Sequence, residues 1–413
     1  MSSTLSAAAR GLLAHRSFVF YFGARSLSEF AYQICAVAVG WQIYALTGSA
    51  LALGLTGLAE FAPTAILTFA AGHVADRFER RRVAQACQIV SALTAAGLAW
   101  GSFAGWLTAP QIFLAVALIG AAAAFEGPAA AALLPAVAPT GGLQRAVTLC
   151  GGAMQVATIA APIVGGLADA RGAAAPYALM AALWGIAALA NGGVRPQRPA
   201  EPPDPPRLGA IFHGVAFVRR NPALLGTISL DLFAVLLGGA TTLMPIFARD
   251  ILHVGPWGLG LLRAAPAAGA LVTTAVLLRR PIRRAAGLRM FAAVIVFGLA
   301  TAVFAVSRSL PLSLLALVAL GGADAVSMVI RGALVQLATP DAMRGRVGAV
   351  NSLFVGASYQ LGGFESGVAA SLLGAAPAAL LGGLGTIAVA LLWMRLFPTL
   401  RQVERLDQHG DHR

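Results

Sequence analysis

The stretch GHVADRFERRR, Gly72–Arg82, puts six charged residues into the seven positions from Asp76 to Arg82. It separates two apolar runs, each more than twenty residues long. A run of that length spans the ~30 Å of hydrocarbon in a bilayer as a helix, so the charged stretch reads as a turn at a membrane surface between two spanning helices.

The rest of the chain follows the same plan. Of 413 residues, 58% are hydrophobic and only 11% charged, against about a quarter charged in a soluble domain. Mean hydropathy is +0.79. The apolar segments are long, continuous and rich in Ala, Leu and Gly, without the period-two alternation of a membrane barrel. The expected fold is therefore an all-α integral membrane protein. It has twelve transmembrane helices near residues 18–46, 51–74, 83–106, 110–137, 146–168, 174–194, 222–248, 257–278, 289–307, 311–337, 347–374 and 377–397. These divide into a six-helix bundle over 1–194, a linker over 195–221, a second six-helix bundle over 222–397 and a tail over 398–413. The linker opens with a proline-rich segment, then places Ile211, Phe212, Val215 and Val218 at helical spacing, as in a short helix lying on a membrane surface.

A net charge of +13 in a soluble chain would suggest nucleic acid. Here its placement suggests a membrane orientation instead, and no nucleic-acid partner is expected. All 29 basic residues are arginines, and 23 of them fall in segments that share one side of the membrane with the N-terminus, against Arg171, Arg249 and Arg308 on the other. Positive charge collects on the cytoplasmic side. The expected protein is thus a multi-pass component of a bacterial inner membrane with both termini in the cytoplasm and the bilayer as its partner.

Cys35, Cys87 and Cys150 each lie inside an apolar run and read as small packing residues. No pair of histidines has metal-binding spacing in a helix, no phosphate-binding glycine loop appears and no nucleophile–base pair stands out. His409 and His412 read as part of a solvated tail. No enzymatic activity, metal or cofactor is expected.

The two halves repeat. RFERRR after the second helix is echoed by RPIRR after the eighth, and PTGGLQR after the fourth by PDAMRGR after the tenth. Such internal symmetry marks secondary transporters. Gly72, Asp76, Arg77, Arg80 and Arg81 match the G-x-x-x-D-R-x-x-R-[RK] signature, so the chain resembles the major facilitator superfamily. The resemblance implies that this loop is a cytoplasmic gate, with the acid at position 76 set against a helix end. Glu79 stands where that family usually has Gly, and Arg279 stands where a second acid would fall. FEGPAAAALLPAVAP, GGADAVSMVIRGALVQLATPDAMRGRVGAVNSLF and GGFESG resemble the bacterial branch that contains enterobactin exporters and related efflux proteins. APIVGG in the fifth helix, with Ala161, Pro162, Gly165 and Gly166, resembles an antiporter motif, Ala161 replacing its first Gly.

Nine ionisable residues lie within the helices: Arg25, Glu29, Glu60, Glu126, Asp231, Arg263, Asp324, Arg331 and Glu365. Each costs ~2.5 kcal/mol or more near mid-bilayer, so such groups face protein or water. In the resembled family helices 1, 4, 7 and 10 line the cavity, and here these helices carry Arg25, Glu29, Glu126, Asp231, Asp324 and Arg331. Arg25 and Glu29 share a helix face, which allows an internal ion pair, and Asp324 and Arg331 also share one face, where a wet cleft suits both better than lipid. Gly127-Pro128 is expected to break the fourth helix beside Glu126. One of Glu126, Asp231 and Asp324 is expected to exchange a proton for substrate, Asp231 or Asp324 first and Glu126 next; the alternative is a permanent structural ion pair with Arg331 or Arg25.

The sequence thus predicts a monomeric, proton-coupled secondary transporter that exports a medium-sized amphipathic small molecule, a siderophore or a drug by resemblance. Nutrient import and a transport-inactive scaffold or sensor are the alternatives.

Overall fold

The computed structural model describes residues 12, 14–195, 215–282, 284–340 and 343–403, the side chains of 68–73, 75, 76, 345, 346, 349, 352 and 353 excepted. Ile211, Phe212, His409 and His412 lie outside the described residues.

The described residues contain helices and no strand. The long helices are α1 (Arg16–Thr47), α2 (Ala50–Arg77), α3 (Arg80–Ala104), α4 (Ala109–Val137), α5 (Leu143–Asp169), α6 (Ala175–Gly192), α7 (Pro222–Leu237), α8 (Gly255–Arg279), α9 (Ala286–Val306), α10 (Leu310–Leu337), α11 (Arg344–Leu373) and α12 (Ala375–Leu396), followed by the single turn α13 (Pro398–Arg401). Eleven spans, counting α7 with its continuation to Ile251, are long and apolar enough to cross a membrane; the 30-residue α11 is the twelfth long helix.

Local chemistry sets the ends of these helices. Thr108 and Gln111 form a capping box at the start of α4, satisfying amide donors that a helix leaves without intrahelical partners. The Asn221 side chain accepts from the amides of Ala223 and Leu224, with Pro222 in the first helical position of α7. Gly105, at φ 74°, ends α3 in the left-handed region, where glycine carries no Cβ penalty.

Two expectations are corrected. The seventh helix is not one α-helix. After Leu237 it becomes a 3-10 stretch, Gly239–Leu243, then one α turn, Met244–Ile246, then a π stretch, Phe247–Ile251. Gly238 and Gly239 remove side-chain restraint at the transition, and Pro245 has no amide to donate to the ladder. The fourth helix, in contrast, continues through Gly127-Pro128 and again through Pro135. A proline forfeits one backbone hydrogen bond, which a 29-residue helix packed on both sides absorbs.

Contacts divide the chain into two compact units, one within Met1–Thr47 and Ala59–Pro205, the other within Gly48–Leu58 and Pro206–Arg413. In the first unit α1 packs on α5 and α6, and α3 on α4 and α6. In the second α7 packs on α11 and α12, and α9 on α10 and α12. For these four pairs in each unit the pairing scheme is the same, the structural form of the sequence repeat.

One hydrogen bond repeats as well. Trp184 Nε1 of α6 donates to Ser28 Oγ of α1 at 3.1 Å, and Trp393 Nε1 of α12 donates to Ser229 Oγ of α7 at 3.0 Å.

Residues 215–220 form a short helix. Its Val218 is buried with Leu224 and Ile228 of α7, Val335 of α10 and Val347 and Val350 of α11. Large apolar side chains on the outer faces remain uncovered, Leu278 at 82% and Phe103 at 78% exposure among them. A protein in water would bury such groups, whereas lipid tails solvate them.

Candidate transport site

In the first unit α1 contributes Arg25, Ser28, Glu29 and Tyr32, α3 Ser91, α4 Glu126 and Gly127, and α6 Trp184 to the wall of a cavity of about 150 Å³. Glu126 is 6% exposed. Its carboxylate accepts from Gln88 Nε2 at 2.9 Å and from the Ser28 hydroxyl. Gln88 is itself oriented, because its Oε1 accepts from Asn191 Nδ2 at 3.2 Å, and this leaves its amide N–H groups facing the acid. Ser28 in turn accepts from Trp184. The acid is thus held by a chain of neutral donors running through α1, α3 and α6. Tyr32 donates its hydroxyl to Glu60 of α2.

Arg25 and Glu29, whose spacing allows an ion pair, form none within 4.0 Å among the described residues; Glu29 instead accepts from Gln33 Nε2 at 2.9 Å. A four-residue spacing puts two side chains on one face, but a neighbour with a shorter reach can take the acceptor first.

The second unit handles its acid differently. Asp231 of α7, 7% exposed, is ion-paired with Arg331 Nη1 of α10. The other end of the guanidinium, Nη2, lies 3.8 Å from Asp324, and Tyr359 of α11 donates to the same carboxylate at 3.5 Å. Arg331 therefore serves mainly the acid on α7 and only secondarily the one on its own helix. The Arg331 Nε and the Ser327 hydroxyl are buried without a hydrogen-bond partner. Thr227, Asp231, Met328, Arg331, Asn351 and Tyr359 line a cavity of about 400 Å³. Of the remaining intrahelical charges, Glu365 is exposed and Glu60 and Arg263 are half-buried.

At the loop that opened the sequence, α2 ends at Arg77 and α3 begins at Arg80. Gly72 and Asp76 are helical in backbone, and their side chains lie outside the described residues. Arg77 is exposed. Arg80 donates to the carbonyl of Ala132 near the end of α4 at 3.2 Å. Arg81 donates to the carbonyls of Gly192 and Val194 at the end of α6, at 3.0 and 3.3 Å. Cations at helix C-termini satisfy orphan carbonyls and oppose the helix dipole. Glu79 pairs with Arg81 at 2.9 Å and with Arg82 at 2.6 Å, so a residue unusual for the signature holds one of its arginines, and the arginine that follows it, in place. In α5, Ala161, Pro162, Gly165 and Gly166 are all buried. A Cβ on Gly165 would lie 3.1 Å from Ile34 Cγ2 of α1, so the small residues serve close packing of α5 on α1.

Sequence reasoning did not single out Tyr32, Gln88, Ser91, Trp184, Asn191 or Tyr359. The available signal was Gln88 and Asn191, two amides inside apolar helices, which in lipid must find partners.

Residues 21–363 match the sequence profile of the Major Facilitator Superfamily. The chain belongs to that family. The multidrug efflux pump Tap of Mycobacterium tuberculosis is 29% identical over 394 residues, covering 91% of this chain and 92% of its own. The enterobactin exporter EntS of Citrobacter koseri is 27% identical over 402 residues, covering 95% and 94%. Among solved structures, a mutant of the nucleoside transporter NupG superposes with a TM-score of 0.76 at 15% identity, covering 92% of this chain and 99% of its own. A bacterial homologue of the iron transporter ferroportin superposes at 0.69 with 17% identity, covering 95% and 99%. These likenesses establish the fold. The protein is a multi-pass membrane transporter of this family.

Proposed function

We propose that the protein is a proton-coupled exporter of a medium-sized amphipathic compound, a drug or a siderophore, working as a monomer in a bacterial inner membrane with both termini cytoplasmic. The efflux roles of the relatives Tap and EntS support the direction and the substrate range, and the arginine asymmetry supports the orientation. Residues 195–221 then form a cytoplasmic linker between the bundles, and Asp76 works with Gly72, Arg77, Arg80 and Arg81 as a cytoplasmic latch.

The observation that carries proton coupling is the environment of Glu126. A carboxyl held only by neutral donors beside a cavity can take up and release a proton without stranding a buried cation. The other titratable groups facing it are Arg25, Glu29 and Tyr32 of α1, Glu60 of α2 through Tyr32, and Cys87 of α3. Asp231 has Arg331 as its counter-charge, and neutralising Asp231 would leave that buried cation only its longer contact to Asp324. We therefore assign coupling to Glu126 and a structural ion pair to Asp231 and Arg331, with Asp324 completing the pair's surroundings.

Inside-out vesicles test the direction: an imposed inward proton gradient is expected to drive accumulation of substrate in the lumen. Accumulation confined to right-side-out vesicles would establish import instead. Coupling is tested in proteoliposomes with Glu126→Gln, which keeps shape while removing the charge change; substrate exchange persists and gradient-driven accumulation is lost. Retained accumulation in that variant would remove Glu126 from the cycle.

A further inference from the structure

We propose that the C-terminal turn is a strap: Phe397–Val403 does for the start of α9 what Arg81 does for the start of α3, and its grip on α7 steadies the helix that carries Asp231. This goes beyond the exporter reading and does not depend on it.

The first observation is a missing cap. Helix α9 opens after Ala285, an alanine in the left-handed region at φ 53°, whose side chain accepts nothing from the helix. The first amides of a helix have no carbonyl one turn earlier to bond. The Gly287 amide is nonetheless satisfied, because it donates to the Val403 carbonyl at 3.1 Å. Glycine is needed for this approach, since a Cβ on Gly287 would overlap the Leu400 carbonyl oxygen. Gly226 of α7 makes the matching room: a Cβ there would stand 2.7 Å from Leu400 Cδ1 and 2.8 Å from Phe397 Cδ1.

The second observation is the seat of the turn. FPTLRQV sends Phe397, Leu400 and Val403 inward and leaves Thr399, Arg401 and Gln402 exposed. Leu400 is 0% and Val403 5% exposed, clustered with Leu230 of α7, Phe291 of α9 and Ile330 of α10. One turn of helix does not hold itself together, so these contacts are what order it. Leu230 and Ile330 are the chain neighbours of Asp231 and Arg331, which form the buried ion pair. The strap therefore backs the two helices that present that pair.

The third observation is the first unit, where the same tie is made another way. Arg81 and Gly287 are each the second residue of the third helix of their unit. Arg81 donates to the Gly192 and Val194 carbonyls where α6 ends, and Val194, fully buried, packs with Phe18 and Tyr21 of α1. In both units the exit of the sixth helix thus gives a carbonyl to the start of the third helix and an apolar side chain to the core. An arginine reaches its carbonyls across a gap. Gly287 has only its backbone amide, so the chain end has to come in to meet it, and α13 is the turn that brings it there.

The test uses the full-length protein in lipid nanodiscs and amide hydrogen exchange. Gly287→Ala keeps every residue of the strap and displaces it; alanine is the better helix former, so lost protection is not a propensity effect. Exchange is expected to quicken about tenfold or more in 223–231 and 287–291 and to keep the parent rate throughout the first unit. A chain ending at Leu396 is expected to show the same pattern, and a chain ending at Val403 to match the parent. The free peptide FPTLRQV, at about the millimolar concentration of a short tether, is expected to restore protection to the chain ending at Leu396. It is expected to fail when that chain also carries Gly287→Ala.

Parent-like exchange in Gly287→Ala overturns the proposal, as does protection lost evenly over both units, which is general destabilisation. A peptide that restores nothing to a folded chain ending at Leu396 overturns it as well. Should that chain fail to fold, Leu400→Ser takes its place in the full-length protein: loosening confined to the same two stretches supports the strap, and parent-like exchange overturns it.

Discussion

Trp184 and Trp393 make the same hydrogen bond to a serine on the first helix of their unit, and around them the two units pair their helices in the same order. Against that shared frame the buried acids differ. In the first unit Glu126 is held by Gln88 and Ser28; in the second Asp231 is held by Arg331. An acid held by amides and hydroxyls is free to change its charge, because its partners do not depend on that charge for their own solvation. An acid held by a buried guanidinium is not, because two desolvated charges compensate each other. The repeat thus preserves backbone packing and lets the polar content of each half diverge, neutral donors around the acid in one half and a guanidinium in the other.

The comparison is broken most directly at Asp231. Asp231→Asn leaves Arg331 only its longer contact to Asp324 and is expected to destabilise the protein by up to ~3–5 kcal/mol, read as a lower melting temperature and yield with every transport mode reduced together. Asp231→Asn combined with Arg331→Gln is expected to recover most of that stability. If the single variant is as stable as the parent, the second unit's acid is not locked by its partner, and Asp231 rejoins Glu126 as a coupling candidate.

Glu126→Gln sharpens the contrast from the other side. Thermal stability is expected to stay within about 1 kcal/mol of the parent, because the Gln88 and Ser28 contacts have neutral alternatives. A combined loss of folding and exchange would show that the first unit's acid is as structural as the second's.

At the turn between α2 and α3, Asp76→Asn is expected to leave insertion near normal while shifting the balance of transport states by about 0.3–2 kcal/mol, the scale of a charge at a helix end. Transport assays at matched expression check it, and unchanged rates would remove the latch. The smallest effect is expected for the repeated bond itself. Trp184→Phe and Trp393→Phe each give up one hydrogen bond between membrane helices, worth about 0.6 kcal/mol. Equal shifts in melting temperature would confirm that the frame is shared; a clearly larger shift for Trp184 would show that the bond also holds Ser28 for Glu126.

Much of this was legible in the sequence because a membrane helix is written in length and apolarity. Eleven of the twelve expected ranges lie within a few residues of the observed helices, and the charged turn falls between Arg77 and Arg80. The continuation of α7 was not legible, since its residues remain apolar while the hydrogen-bond step changes. The candidate acids were visible as costly charges, yet their partners were not. Arg25 and Glu29 had helical spacing in their favour and do not pair, while Asp231 and Arg331 are a hundred residues apart in sequence and do. Spacing along one helix reports a shared face, and only packing between helices decides which groups meet. The amides of Gln88 and Asn191 were passed over because a neutral side chain attracts less notice than a charge, although in lipid both must be satisfied.

The continuation of α7 has a mechanical consequence. Between Gly238 and Ile251 one segment contains tight, regular and wide turns in succession, and the Leu252 amide reaches back five residues to the Phe247 carbonyl at 2.8 Å. Neighbouring turn types differ little in energy, so an amide can trade one carbonyl for the next without unfolding the segment. A twist applied at the outer end is then taken up as a change of pitch, as in a screw thread with a variable lead, before it reaches Asp231. Amide hydrogen exchange faster across residues 239–252 than across 224–237 is the expected signature of that compliance.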